Sequence, residues 1–163
     1  MRLTFGKYDG HTYEWLFFNA PWYAQYIYDN EIHEQPERMD GECFLALHRR
    51  ACGLTGECRG CNERPISRLG LTWQRNGNLG MVGLYCSECE YMGGSWTAYH
   101  PASFFVEAHT LANCDQLRIA KEIRRHYIGD GRLTQSKMEE FFHNHANFSD
   151  YTLGLCAADV VKE

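Results

Sequence analysis

The sequence contains no apolar run that approaches the roughly 18 residues needed to cross a bilayer. Its first residues, Met1-Arg2-Leu3-Thr4-Phe5-Gly6, lack the apolar stretch of a secretory signal. Internal repeats and low-complexity segments are missing as well. From these absences we expect a soluble, cytoplasmic protein with no membrane partner.

An excess of positive charge is also missing. The 163 residues include 16 Lys+Arg against 21 Asp+Glu, which gives a net charge of -5. Domains that coat nucleic acid through bulk charge are usually strongly basic, so any phosphate contact has to be local. The hydrophobic fraction of 44% and the aromatic fraction of 14% predict a folded chain with one core, with room for a small metal-held lobe.

Eight cysteines are present, and four of them form the C-x2-C pairs Cys58/Cys61 and Cys86/Cys89. In a cytosolic chain this spacing indicates a metal site rather than disulfides, because the cytosol keeps thiols reduced. Each pair can place two sulfur atoms on one side of a tetrahedral ion, so two pairs complete the shell of one structural Zn²⁺. We expect Gly60 to supply the backbone angles that the first turn needs.

Residues 62–85 separate the two cysteine pairs and contain a predicted hairpin. Strands over 69–74 and 79–85 flank Asn76-Gly77, a dipeptide that suits a tight hairpin turn. In a zinc ribbon, a hairpin carries the chain from one cysteine turn to the other. This order predicts a zinc ribbon over residues 51–95.

Other arrangements of the cysteines stay open. The four could be reduced core residues without a metal, and Cys52 could take the place of Cys58. A redox dithiol is disfavoured, because neither pair lies between a strand and a helix of a βαβ unit. A second metal site could combine four side chains from separate segments, namely His48, Cys52, His109 and Cys114.

The periodicity of the chain predicts an α+β fold in three parts. These are an N-terminal β-hairpin and helix unit at 1–50, the zinc ribbon at 51–95, and a helical region packed on both at 96–163. The N-terminal hairpin is expected over residues 2–16, with its turn at Asp9-Gly10. Helices are expected after Pro21, before Cys52, near Pro101, from Asp115 to Gly129, and from Thr134.

The N-terminal segment carries a motif of aromatic, glycine and basic residues. Its members are Phe5, Gly6, Lys7, Gly10 and Thr12, followed by Pro21, Tyr23 and Tyr26. Over about the first 30 residues this pattern resembles the exodeoxyribonuclease X-like C-terminal domain. The resemblance implies a compact unit that accompanies nucleases and helicases and binds rather than cuts. Asp9 and His11 stand where that family commonly has lysines.

Positive charge recurs at helical spacing at Arg118, Lys121 and Arg125, opposite an apolar face. Such a stripe can contact phosphates, although a solvated helix surface is the alternative. A weaker patch surrounds the predicted zinc ribbon and consists of Arg59, Arg64, Arg68 and Arg75.

Motifs for catalysis are lacking: the sequence has no nucleophile elbow, phosphate-binding loop or His-Glu-x-x-His helix. We therefore predict a non-enzymatic zinc-binding adaptor that contacts DNA or RNA, or a nucleic-acid-processing protein. The predicted nucleic-acid contacts are Lys7, Arg118, Lys121 and Arg125. The alternative is a protein–protein interaction module, such as a phage or mobile-element accessory factor, without nucleic-acid contact.

Overall fold

A computed structural model describes residues 1–89, 97–106 and 111–149. Within these ranges it has five α-helices and one three-stranded antiparallel sheet, which confirms the α+β class. The helices are α1 (Tyr13–Asn19), α2 (Pro21–Asp29), α3 (Gly41–Cys52), α4 (Asn113–Tyr127) and α5 (Gln135–His143). The strands are β1 (Arg68–Trp73), β2 (Leu79–Tyr85) and β3 (Thr97–Pro101). None of these helices is both long enough and apolar enough to cross a membrane.

Helix α1 begins at Tyr13, so the hairpin expected over residues 2–16 ends earlier than predicted. Thr12 is the N-cap, and its hydroxyl oxygen accepts a hydrogen bond from the Trp15 amide at 3.2 Å. The same hydroxyl donates to the Gln135 side chain of α5 at 2.7 Å. This cap satisfies an otherwise unpaired amide and so favours helix over strand. The shorter hairpin pairs Arg2 with Thr12, and the Leu3 amide donates to the His11 carbonyl oxygen at 2.8 Å.

The other helices agree more closely with the sequence. Those expected after Pro21, before Cys52 and from Thr134 are confirmed as α2, α3 and α5. Helix α4 is also confirmed, but its N-cap is Ala112, and Asp115 lies in the first turn. The Asp115 carboxylate still favours this end of the helix, because it faces the positive end of the helix dipole.

The sheet combines a predicted hairpin with a strand that the sequence did not predict. Strands β1 and β2 pair as expected, and Gly77 has a φ of 81° in the turn between them. Strand β3 pairs antiparallel with the other side of β1, which gives the order β2-β1-β3. The helix expected near Pro101 is therefore wrong, since that residue ends β3 and residues 102–106 are not helical. Ala108, expected on that helix, lies outside the described residues.

Helix α1 lies among the other four helices and contacts each of them. Its Phe17 ring is fully buried, 6.0 Å from the Phe44 ring of α3 and 5.2 Å from the Phe142 ring of α5. Phe104, which follows β3, packs on the same ring at 6.2 Å. Burying a ring of this size contributes about 1.5–3 kcal/mol, so these contacts fix the helices against the sheet region. The division of the chain into parts at residues 50 and 95 stays a prediction.

Candidate metal centre

Four sulfur atoms converge near the start of β1 and the end of β2. The Sγ atoms of Cys58, Cys61, Cys86 and Cys89 all lie within 4.8 Å of one another, and Cys61 and Cys86 are 4.0 Å apart. None of the four is in a disulfide. Zn–S bonds of about 2.3 Å in a tetrahedron place the sulfur atoms about 3.8 Å apart. The cluster is thus close to the geometry of a four-sulfur site and could hold a metal ion.

The sheet positions the second cysteine pair directly. Strand β2 ends at Tyr85, so the next residue, Cys86, leaves the strand towards the cluster. Cys58 and Cys86 are almost fully buried, with exposed fractions of 0% and 1%, whereas Cys61 and Cys89 are half-buried. One side of the cluster therefore faces the protein interior, and the other lies near the surface.

The first cysteine turn is closed by its own backbone. Asn62 has a left-handed φ of 55°, and its amide donates to the Cys58 carbonyl oxygen at 2.9 Å. Asparagine tolerates this conformation better than most residues. The Arg59 amide donates to the Leu84 carbonyl oxygen at 3.4 Å, which attaches the turn to β2.

Gly60 is needed for space rather than for backbone angle, so the sequence-based reason for this residue was wrong. Its φ lies outside the left-handed region. A Cβ atom at this position would lie 2.9 Å from the Sγ atom and 3.0 Å from the Cβ atom of Cys89. The absence of a side chain thus lets the second cysteine pair approach the first.

Backbone amides point at the sulfur atoms. The Gly60 and Cys86 amides donate to Cys58 Sγ at 3.3 and 3.2 Å, and the Cys89 amide donates to Cys86 Sγ at 3.3 Å. Burial raises the pKa of the Cys58 thiol, but its backbone N–H donors outweigh burial and lower that pKa to about 6. Metal ions bind the thiolate, so these donors prepare Cys58 as a ligand.

Arg68, at the start of β1, holds the second cysteine turn. Its Nε donates to the Cys86 carbonyl oxygen at 2.9 Å, and an Nη donates to the Cys89 carbonyl oxygen at 2.7 Å. Its guanidinium also lies 4.1 Å from the centre of the Tyr99 ring of β3. From the sequence, Arg68 was placed in a weak basic patch. Its pairing with Tyr85, the residue before Cys86, is the signal that could have placed it beside the second cysteine turn. Such outer partners orient ligands and offset charge.

Two more arginines of that patch form ion pairs at the surface of the centre. Arg64 pairs with Glu88, which lies between the cysteines of the second pair. Arg59 lies 3.7 Å from Glu122 of α4 and so connects the first cysteine turn to that helix. Exposed pairs of this kind contribute about 0–1 kcal/mol each, so Arg59 and Arg64 have partners within the protein that add little stability.

Two of the predicted nucleic-acid contacts on α4 also have partners within the protein. The Arg118 guanidinium donates to two backbone carbonyl oxygens at the start of β2. Arg125 donates to Glu122 at 2.5 Å and to Asp130 at 2.9 Å. Lys121 lies between them in sequence and is exposed. Arg118 therefore fastens α4 to an edge strand of the described sheet.

The fourth predicted contact, Lys7, lies on the N-terminal loop rather than on α4. Its amine is 5.3 Å from the centre of the Tyr8 ring. Around Tyr8 lies a group of side chains that we call the N-terminal ring cluster: Tyr8, His11, Trp15, Tyr23 and Tyr26. Neighbouring rings in it are 3.9 to 6.3 Å apart between centres. Sequence periodicity did not reveal this cluster, because its rings come from a loop and two helices.

The residues considered for a second metal site are only partly brought together. His48 Nδ1 and Cys52 Sγ are 3.7 Å apart, whereas Cys114 is exposed on α4 and His109 lies outside the described residues. Across the described ranges, the four-cysteine cluster is the single group of three or more potential ligands close enough to share an ion. Cys58, not Cys52, completes that cluster.

The chain was also compared with known proteins. No family model matches it, no curated protein is significantly similar in sequence, and no solved structure is significantly similar in fold.

Proposed function

We propose that the protein binds one Zn²⁺ through Cys58, Cys61, Cys86 and Cys89. The observation that carries this proposal is the convergence of the four sulfur atoms within 4.8 Å, with backbone amides directed at two of them. Tetrahedral sites of four sulfur ligands favour zinc or iron over harder metals, and zinc is the usual ion of paired C-x2-C turns.

The proposed role of this ion is structural. Four cysteine ligands fill a tetrahedral shell and leave no position for water or substrate. The ion would join the end of β2 to the segment that precedes β1, and the Arg59–Glu122 pair continues this connection to α4. Binding energy of this kind contributes directly to folding.

Titration of the metal-stripped protein with Co²⁺ tests this assignment. We expect the intense absorption of a cobalt–thiolate centre to reach its maximum at one equivalent. Cys86→Ser should abolish this signal, whereas Cys114→Ser should leave it intact, because Cys114 is exposed on α4 away from the cluster. Weak binding without thiolate absorption would show that the cysteines do not form a metal centre.

We further propose that the protein is a non-enzymatic binding module whose partner is single-stranded nucleic acid. Two observations favour this partner: the N-terminal resemblance to a domain that accompanies DNA-handling enzymes, and the N-terminal ring cluster beside Lys7. Tyr26 is stacked on Tyr23 and is 49% exposed. Exposed rings with a nearby cation suit bases and phosphates, since stacking contributes about 1–3 kcal/mol per base.

The ring cluster is a better candidate surface than the stripe on α4. Arg118 and Arg125 already bind carbonyl and carboxylate groups of the protein itself, so a phosphate would have to compete with these partners. Lys7 instead lies over an aromatic ring at the surface. The net charge of -5 also favours a contact through rings over one through bulk charge.

Fluorescence anisotropy with a labelled single-stranded oligonucleotide tests the partner. We expect binding at low salt that weakens as salt is raised, and about a 5- to 150-fold loss of affinity in Tyr26→Ala, from the stacking energy of one base. Lys121→Ala is the control on α4 and should bind normally. No binding at low salt would defeat this proposal and favour a protein partner for the same rings, which are also common at protein interfaces.

A further inference from the structure

An open groove lies between the short 3₁₀ helix Ile32–Glu34 and the first turns of α3. Its volume is about 630 Å³, which falls within the range of about 300–1,000 Å³ that is usual for ligand-binding clefts. Most of its surface is apolar, and Pro36, Met39 and Leu45 contribute to it. The groove therefore has room for a few side chains of a partner.

Contacts within the chain fix the shape of this groove. The Asp40 amide, at the N-cap of α3, donates to the Tyr13 hydroxyl oxygen of α1 at 2.8 Å. Gly41 lets the start of α3 approach the 3₁₀ helix, because a Cβ atom there would clash with the His33 carbonyl oxygen. The groove is thus formed before any partner binds, and a preformed site binds with less loss of conformational entropy.

The segment that forms the groove carries the whole net charge of the chain. Of the 21 acidic and 16 basic residues, six and one lie within residues 29–42, so 15 of each sign remain elsewhere. The one basic residue of this segment is Arg38, whose guanidinium lies 5.7 Å from the centre of the Phe5 ring. Negative charge concentrated in this way attracts cations and repels phosphates.

Three carboxylates of this segment line the groove, and all three are exposed: Glu34, Asp40 and Glu42. Asp40 accepts a hydrogen bond from the Cys43 amide. Within the described part of the chain, Glu34 and Glu42 form no ion pair. A cation on a partner can therefore pair with them without breaking an existing pair.

The positions of these carboxylates favour several separated charges over one metal ion. A divalent cation needs several oxygen ligands at about 2.0–2.6 Å. Among the described residues, however, the one group of three or more potential ligands within 4.8 Å consists of the four cysteines. Apolar walls with carboxylates at the rim match lysine and arginine side chains, whose stems cover apolar surface while their charged ends reach outward.

We propose that this groove, which we call the acidic groove, binds a basic peptide segment of a partner protein that also carries apolar side chains. Its members are Glu34, Pro36, Met39, Asp40, Glu42 and Leu45. The apolar walls receive the apolar side chain and the methylene stems, and the carboxylates pair with the ammonium groups. The inference depends on neither zinc nor nucleic-acid binding, because Lys7 and the metal centre belong to other segments of the chain.

Fluorescence anisotropy of the full, metal-loaded protein tests this proposal. The probe is a short peptide of lysine, glycine and two leucines that carries an uncharged fluorophore. We expect saturable binding at low salt that weakens as salt is raised, because salt screens exposed charges. A peptide with glycine in place of the leucines should bind more weakly, and one with glutamine in place of the lysines should not bind.

Substitutions then separate the groove from the overall charge. Glu34→Gln combined with Glu42→Gln should weaken binding about 2- to 25-fold, as expected for the loss of two exposed ion pairs. The control combines Asp9→Asn with Glu140→Gln, which changes the net charge equally at exposed positions outside the groove and should change the affinity less than about 2-fold. Leu45→Ala should weaken the leucine-containing peptide more than the leucine-free peptide. Circular dichroism checks that each variant is folded.

Four results would overturn the proposal. The first is no binding of the probe at low salt. The second is an equal loss in the groove variant and its control, which would leave net charge as the cause. The third is equal affinity for the peptides with and without leucine. The fourth is spermidine binding as tightly as the probe, with the same loss in the groove variant, which would assign the groove to small polyamines.

Discussion

Gly60→Ala tests how tightly the two cysteine turns pack against each other. The added methyl group would lie 2.9 Å from Cys89 Sγ and 3.0 Å from Cys89 Cβ, and Cys58 Sγ would be 3.6 Å away. The neighbours cannot move away freely if both cysteines bind the proposed ion, because both belong to the four-sulfur cluster. Overpacking of this kind costs about 1–3 kcal/mol, which corresponds to about a 5- to 150-fold weaker affinity for the ion.

Competition with a chromophoric chelator of known affinity measures this loss. The metal-loaded variant and the unchanged protein are titrated in parallel, and the ratio of their zinc dissociation constants gives the free-energy difference. Circular dichroism of both samples checks that the sheet is retained.

Gly131→Ala is the matched control. It is a glycine outside the left-handed region, and its added Cβ would have the flexible Lys137 Nζ as a neighbour at 3.4 Å. We expect its zinc affinity to be unchanged. Equal affinities for Gly60→Ala and the unchanged protein would refute the account of how the two turns fit together.

Three further predictions concern stability. Arg118→Ala should lower the free energy of unfolding by about 1 kcal/mol in urea titrations, because two backbone carbonyl groups of β2 lose a donor. Lys121→Ala, at an exposed position of the same helix, should change the free energy of unfolding by less than about 0.5 kcal/mol. Tyr127→Phe should cost about 1 kcal/mol, since the hydroxyl donates to the Thr55 carbonyl oxygen at 2.7 Å; an unchanged denaturation midpoint would contradict that bond. The pKa of His48 is about 3 in the folded protein and about 6.5 in the unfolded chain. Between these pH values the unfolded chain binds more protons than the folded protein. The free energy of unfolding should therefore fall as pH is lowered through this window, by up to about 1.4 kcal/mol per pH unit. His48→Phe should show a smaller fall in the same urea titrations, and an identical pH dependence would contradict the burial of a neutral imidazole.

The convergence of the four cysteines could be predicted because its signal is local. Two C-x2-C pairs and an Asn-Gly turn between them specify which sulfur atoms meet, and the structure brings those sulfur atoms together. The role of Gly60 could not be predicted in the same way. Its requirement comes from Cys89, which is distant in sequence and close to Gly60 only in the folded structure.

The secondary-structure predictions are wrong where a tertiary contact or a helix cap decides between two local patterns. Residues 13–16 alternate enough to suggest a strand, but the Thr12 cap and its bond to Gln135 favour α1. Strand β3 gains its stability by pairing with β1, a partner more than twenty residues away in sequence, so its own residues gave little signal. The stripe on α4 suggested phosphate binding because the partners of Arg118 belong to a distant strand.

We propose that four cysteines share one zinc ion that supports the folded middle of the chain. Elemental analysis of the protein, purified without added metal, tests it most directly when combined with a melting curve before and after chelation. We expect one zinc per chain and a lower melting temperature once the metal is removed, with both effects absent in a chain that carries serine at all four cysteine positions. A protein that contains no stoichiometric metal and melts identically with and without the four cysteines would contradict the account.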